Sequence, residues 1–233
     1  MREIAQIRGL SLWIFFVPLV AINLCLFISI NFDLFENTIF RVDQIGKTNF
    51  SIPYLDGSLS ISRASRTYPQ YLVFKPSMII TGFLLIFYWA NNNKLINRLN
   101  GTKINHKFKL FGILSAIFLI VHSIFLGIKF DIQIYKLFRR LILLFFIIFE
   151  IIAQGLLVYS FYKLRFKIKH LFNNYVLYLK IFLVLVLSTV ALLSIPILVK
   201  EGNTHFKHAL EWNYFVGVVL FYLFTRFFWK KTT

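Results

Sequence analysis

Residues 139–161 read RRLILLFFIIFEIIAQGLLVYSF, and this stretch decides the fold class. At 1.5 Å of rise per residue it is long enough to cross a hydrocarbon core of about 30 Å. It carries basic residues at its start and one acid, Glu150, near its middle. A water-soluble helix alternates apolar and polar faces, whereas this one is apolar all round. It reads as a span of an integral membrane protein.

The same texture extends outward along the chain. The predicted spans are about 10–30, 71–90, 110–128, 139–161, 175–199 and 209–228, so an all-α six-helix membrane bundle is expected. Residues 1–233 are read as a single transmembrane domain, with 31–70 as an extracytoplasmic or lumenal loop. Within that loop the alternating Ser58, Ser60 and Ser62 suggest a short strand or an ordered loop. Of the 233 residues, 58% are hydrophobic, 29 are Phe and only 15% are charged, too few charges to cover a soluble surface. The first apolar run continues from Leu10 to Ile30 and ends in Asn31-Phe32-Asp33 without an Ala-x-Ala site. It is therefore expected to be a retained helix rather than a cleaved leader.

The net charge of +17 does not point to nucleic acid, because the aromatics lie inside the apolar runs and cannot serve as exposed stacking platforms. The basic residues instead set topology and meet anionic headgroups. The linkers 91–109 and 162–174 hold nine Lys or Arg and no acid. The long loop balances Arg41, Lys47, Arg63 and Arg66 against Asp33, Glu36, Asp43 and Asp56. Both termini are accordingly placed on the cytoplasmic side. Lys136, Arg139 and Arg140, at the outer start of the fourth span, run against this trend.

Polar residues at membrane depth are the candidates for function, because lipid makes them costly. Glu150 comes first, with Gln154 one turn further on the same face. It is either a lipid-headgroup, ion or proton contact, or a hydrogen-bonded packing group. His122 lies on the third span with Ser115 on nearly the same face. Its depth differs from that of Glu150 by ~6–9 Å, so a direct pair needs helix offset or a water. His205, His208 and Glu211 recur where the last span begins, but not at zincin spacing. They read as an interfacial turn with Glu211 in the first turn and Trp212 as a headgroup-level anchor. Arg63 and Arg66 suit phosphate or glycan contact, since guanidinium binds phosphate bidentately. Cys25, the only cysteine, excludes an internal disulfide and reads as a packing residue. No phosphate loop, nucleophile elbow or Ser-His-Asp set is present, and no metal or cofactor is expected.

A long first loop closed by Pro53 and Ser58 to Ser62 leads through Tyr68-Pro69-Gln70-Tyr71 and Phe74 into the second span. The final span opens with Glu211-Trp212 and continues to Phe215, Phe221 and Thr225. In this layout the chain resembles the Frag1/DRAM/Sfk1 family of polytopic membrane proteins, which includes a factor of GPI-anchor lipid remodelling. The resemblance implies a six-span fold, membrane lipids (GPI-anchor lipid among them) as partners, and a role in handling or regulating lipids. It also implies placement in the Golgi or endoplasmic reticulum, with plasma membrane or lysosome as alternatives. The residues alone leave a second class open: a small ion- or proton-coupled transporter or channel using Glu150 and His122. An enzymatic reading would make Glu150 or the outer histidines acid–base groups, but the sequence offers it no nucleophile.

Overall fold

A computed structural model describes residues 2–41, 50–101, 106–128, 133–199 and 202–230, apart from the side chains of Gln133, Lys136, Leu198 and Val199. Asp43, Lys47, Lys103, Lys129, Asp131 and Glu201, and the side chain of Lys136, lie outside the described residues. The fold is all-α. Six long helices, α1 (Arg2–Ile30), α4 (Gln70–Asn100), α5 (Lys107–Phe125), α6 (Gln133–Leu164), α7 (Asn174–Val199) and α8 (Thr204–Phe228), are joined at one end by two short ones, α2 (Pro53–Asp56) and α3 (Ile61–Ser65). Five of them (α1, α4, α5, α6 and α7) are long and apolar enough to cross a membrane. Their outward faces carry Phe16, Val20, Ile80, Phe83, Phe87, Ile117, Phe145, Ile148, Phe182 and Leu185, all exposed. So large an apolar surface is stable only against lipid. The chain is a multi-pass membrane-embedded helical protein.

The helices close into a ring. α1 packs on α4, α4 on α5, α5 on α6, α6 on α7, α7 on α8, and α8 returns to α1. Successive long helices run antiparallel, so the ring has a loop end, where α2 and α3 sit, and an opposite end. At the opposite end Arg98 on α4 pairs with Glu3 on α1 at 3.2 Å. There the chain around Phe172 also pairs with Trp229, through Asn173 N–H to the Phe228 carbonyl at 2.8 Å and Lys230 N–H to the Leu171 carbonyl at 3.0 Å.

Several elements depart from the sequence reading: α1 and α6 start earlier and α5 ends earlier than expected, at Arg2, Gln133 and Phe125, and three further differences bear on the site. The Asn91-Asn92-Asn93 run does not stop α4, which continues to Asn100. Its buried amides are partly provided for: Asn92 Nδ2 donates to the Tyr88 carbonyl at 2.9 Å while its Oδ1 has no partner among the described residues, and Asn93 Oδ1 accepts from His106 N–H at 3.0 Å. The serine stretch is not a strand. Ser60 caps α3, its hydroxyl accepting the Arg63 N–H at 3.2 Å, which answers an unsatisfied donor of the first turn. And α8 starts at Thr204, so Glu211 lies about two turns inside it rather than in the first turn.

The packing of α4 on α5 depends on Gly112, where a Cβ would fall 2.3 Å from Cδ2 of the fully buried Trp89 ring. A large ring enclosed on all sides has no free rotamer to yield into. Gly112→Ala is expected to cost roughly 1–3 kcal/mol by overpacking, read as a lowered Tm of the detergent-solubilised protein. An unchanged Tm would mean that Trp89 has room to move.

Candidate functional site

Three groups of polar side chains stand out, and the first is a clamp at the loop end. Imidazole Nδ1 of His205 lies 3.1 Å from the Asp56 carbonyl, and that of His208 lies 2.9 Å from the Gly57 carbonyl. A carbonyl only accepts, so both rings donate through Nδ1–H. Trp212 Nε1 donates to the Leu59 carbonyl at 2.7 Å, and Asn213 Nδ2 donates to the Tyr54 carbonyl at 2.7 Å. The Glu211 carboxylate faces the backbone N–H groups of Ile61 and Ser62. Five consecutive or near-consecutive side chains of α8 thus read the backbone of residues 54–62. Trp212 is not a headgroup anchor: it is fully buried, edge-on to Tyr54 at 4.9 Å. It lies beneath the loop because its indole N–H requires a carbonyl once the ring is buried.

Asp56 holds the same layer from within. It accepts from Ile52 N–H and Ser58 N–H, each at 2.8 Å. The bond from Ser58 N–H, helped by that from Ile52 N–H and by the Ser58 and Ser51 hydroxyls, keeps its carboxyl below its ordinary value of 3.8 despite the opposing effect of burial. A depressed carboxyl contributes stability above its ordinary pKa and loses it as pH falls through its folded value. Acidification below about pH 4 is therefore expected to raise amide exchange in residues 52–58 before the long helices respond. Exchange that rises there and in the long helices together would refute this.

The second group is cationic. Arg63 is exposed and Arg66 half-buried on α3 and its C-cap. Beside them lies the turn after α5, where Gly127 comes so close that a Cβ would sit 2.9 Å from the Arg66 carbonyl. Tyr135, at the start of α6, donates to the Phe125 carbonyl at 2.9 Å, and Arg139 lies one turn on, 5.9 Å from the Tyr135 ring centre. Arg63 and Arg139 both lie within electrostatic reach of Arg66. Burial, then Arg63 and Arg139, hold Arg66 below its usual basicity. None of the three makes a side-chain hydrogen bond or ion pair among the described residues. Arg139 Nε and His122 Nδ1 are enclosed without a partner there, and Arg139 is close enough to His122 to act on it electrostatically.

The third group lies on the ring's axis, at membrane depth. Glu150, 1% exposed, accepts from Ser115 Oγ at 2.6 Å, from Gln154 Nε2 at 3.0 Å and from the Tyr222 hydroxyl. Gln154 also reaches the Val218 carbonyl at 3.3 Å. The carboxylate therefore gathers donors from α5, α6 and α8, and His122 is not among them. Further toward the opposite end Lys180, also 1% exposed, donates to Thr225 Oγ1 at 2.7 Å and lies 3.8 Å from the Phe221 ring centre. Thr225 Oγ1 donates to the Phe221 carbonyl at 3.1 Å, so its lone pairs take Lys180 and the Tyr88 hydroxyl, the latter at 3.1 Å. The Tyr88 and Tyr222 rings meet edge-to-face at 5.0 Å between the two centres.

The sequence reading thus placed Glu150 beside Gln154, where the structure also has them, but missed Lys180, Tyr88, Tyr222 and Arg139 as site residues. Lys180 carried a usable signal, a lone cation in NYVLYLKIFLVLVL. It has one hydrogen bond and one close aromatic face to offset burial of an amine. Lys180→Met keeps the volume and removes that cost. By analogy with buried ionic groups replaced by apolar ones, it is expected to stabilise by roughly 1–4 kcal/mol in thermal denaturation. Lowered stability would show that the amine is worth more to the fold than its desolvation costs.

Neither a protein-family model, nor a curated protein, nor a solved structure matches this chain.

Proposed function

We propose that this chain handles or regulates membrane lipids, crossing the bilayer six times with both termini cytoplasmic and the α2–α3 layer lumenal. The observation that carries the reading is a lateral cleft beside an otherwise filled bundle. The ring's axis is filled by Tyr88, Trp89, Tyr222, Glu150 and Lys180, each almost wholly buried. A cleft of about 340 Å³ opens instead at the side, beneath the loop layer, between Asn23, Leu26, Phe27, Ile30, Asn31 and Phe50. Its volume is at the small end of the range for ligand sites, ~300–1,000 Å³. Apolar walls with an amide at each end, Asn23 and Asn31 about 12 Å apart along α1 and its end, suit a lipid that spans the boundary between acyl chain and headgroup. Within this reading GPI-anchor lipid, in the Golgi or endoplasmic reticulum, is the substrate that the family likeness nominates.

The test is a lipidomic comparison, GPI-anchor lipids included, of cells carrying the wild-type chain or Asn31→Trp at equal expression. Asn31 lies at the helix end, where an indole fills the cleft without entering the ring. A selective change in anchor or headgroup composition is expected. The buried Glu150 and Lys180 favour a second reading, a small ion- or proton-coupled transporter, because ionisable groups inside spans often mark ion paths. An unchanged lipid profile together with proton or ion flux that Glu150→Gln abolishes would replace the first reading with this one.

A further inference from the structure

Three arginines from two separate segments converge at the loop end: Arg63 and Arg66 from α3 and its cap, and Arg139 from the second turn of α6. Their positions are set by ordinary packing. α3 is held to α1, with Ser29 Oγ 3.5 Å from the Ala64 carbonyl. The turn after α5 is pressed on the Arg66 carbonyl, and Tyr135 ties α6 to the last residue of α5. Like charges brought together by a fold raise its energy unless something of opposite sign joins them. Elsewhere the chain does pair such groups, as Arg98 does with Glu3. Here the described residues supply no carboxylate. Arg139 Nε and His122 Nδ1 are buried with no hydrogen-bond partner among the described residues.

We infer that Arg63, Arg66 and Arg139 form a binding site for a phosphomonoester at the loop-side membrane surface, with Arg139 as its innermost ligand. A phosphomonoester carries about −1.5 to −2 charges near neutrality and three strong acceptor oxygens, which suits several guanidinium groups at once. Arg is the better residue for this than Lys, because its planar fork presents paired N–H donors to two oxygens. The site also accounts for the basic start of α6, which opposes the charge trend of the loops: Arg139 is placed there to bind, not to set topology. The nearby apolar faces favour a headgroup as the source, and that part rests on the lipid-handling reading. Free phosphate shares the same chemistry.

The experiment uses the full chain in nanodiscs of phosphatidylcholine, with and without phosphatidic acid. Phosphatidylglycerol serves as the phosphodiester control, and inorganic phosphate is titrated separately. Ligand-induced thermal stabilisation is the readout. Phosphatidic acid is expected to raise Tm more than phosphatidylglycerol. Arg139→Gln should weaken apparent affinity about tenfold or more, the usual worth of a charge-assisted contact, while the ligand-free Tm stays level or rises as repulsion is relieved. The exposed neighbour Arg140→Gln should bind like wild type. Should Arg139→Gln fail to fold, Arg66→Lys keeps the charge and tests the fork alone, with weaker binding expected. Stabilisation by inorganic phosphate without a preference for phosphatidic acid supports the site with a soluble source and counts against its lipid role. Absence of stabilisation by either ligand, or equal stabilisation of Arg139→Gln and wild type, overturns the site. Neither of these results touches the lateral cleft, which the lipidomic comparison tests by itself.

Discussion

Gly57→Ala is expected to lift the α2–α3 layer off α8. Gly57 follows α2 in the left-handed conformation, φ 59°, which alanine adopts only at a cost of roughly 1–2 kcal/mol. The steric conflict is larger. A Cβ at this position would lie 1.7 Å from the His205 carbonyl oxygen, a backbone atom that no rotamer change can move. The layer must shift as a unit, and its shift breaks the bonds from His205, His208, Trp212 and Asn213 to loop carbonyls. At about 1 kcal/mol net for each bond, docking loses several kcal/mol. The check is amide exchange of residues 53–65 together with the emission of Trp212, which should redden as the indole meets water. Retained protection and unchanged emission would show that α3, through α1, holds the layer without the clamp.

Glu150→Ala is expected to be the most destabilising substitution on the axis. Removing the buried carboxylate strands three donors, Ser115, Gln154 and Tyr222. Each stranded donor costs roughly 1–3 kcal/mol, and the lost side-chain volume adds a cavity. Partial relaxation keeps the sum below the maximum, so a loss of roughly 3–5 kcal/mol follows. Glu150→Gln keeps one oxygen and should lose about half as much or less. Thermal denaturation of both variants in one detergent tests the ordering. If Gln proves as damaging as Ala, the negative charge itself, rather than acceptor number, organises the donors.

Much of the fold was legible because lipid is a demanding solvent. A run such as 139–161 has no alternative home, and the long helices overlie the expected spans, although α5 ends at Phe125 rather than at residue 128. Helix ends were harder to read. Asn91 to Asn93 look like a stop when read singly, yet Asn92 bonds back along α4 and Asn93 reaches the chain before α5. The clamp was not legible either. His205 and Asp56 lie 149 residues apart in sequence, and no local period reports a side chain that serves a distant carbonyl. Lys180 was legible in principle, but it falls within two turns of a polar helix start, where a basic residue passes for an interface anchor. Arg139 was noticed only as an exception to the charge trend, because its meaning depends on a neighbour in another segment.

The ring closes where α8 meets α1, and α8 is the last of the long helices to leave the ribosome. Until it arrives, Glu150 and Lys180 are already in the bilayer without Tyr222 and Thr225, the hydroxyls that accommodate them. Loop residues 54–62 also wait, since their carbonyls are answered by side chains of the same late helix. Biogenesis therefore passes through a stage in which Lys180 lacks its hydrogen-bond acceptor and Glu150 lacks one of its three donors. That stage is where membrane-insertion factors and quality-control proteases would tell a completed bundle from a stalled one.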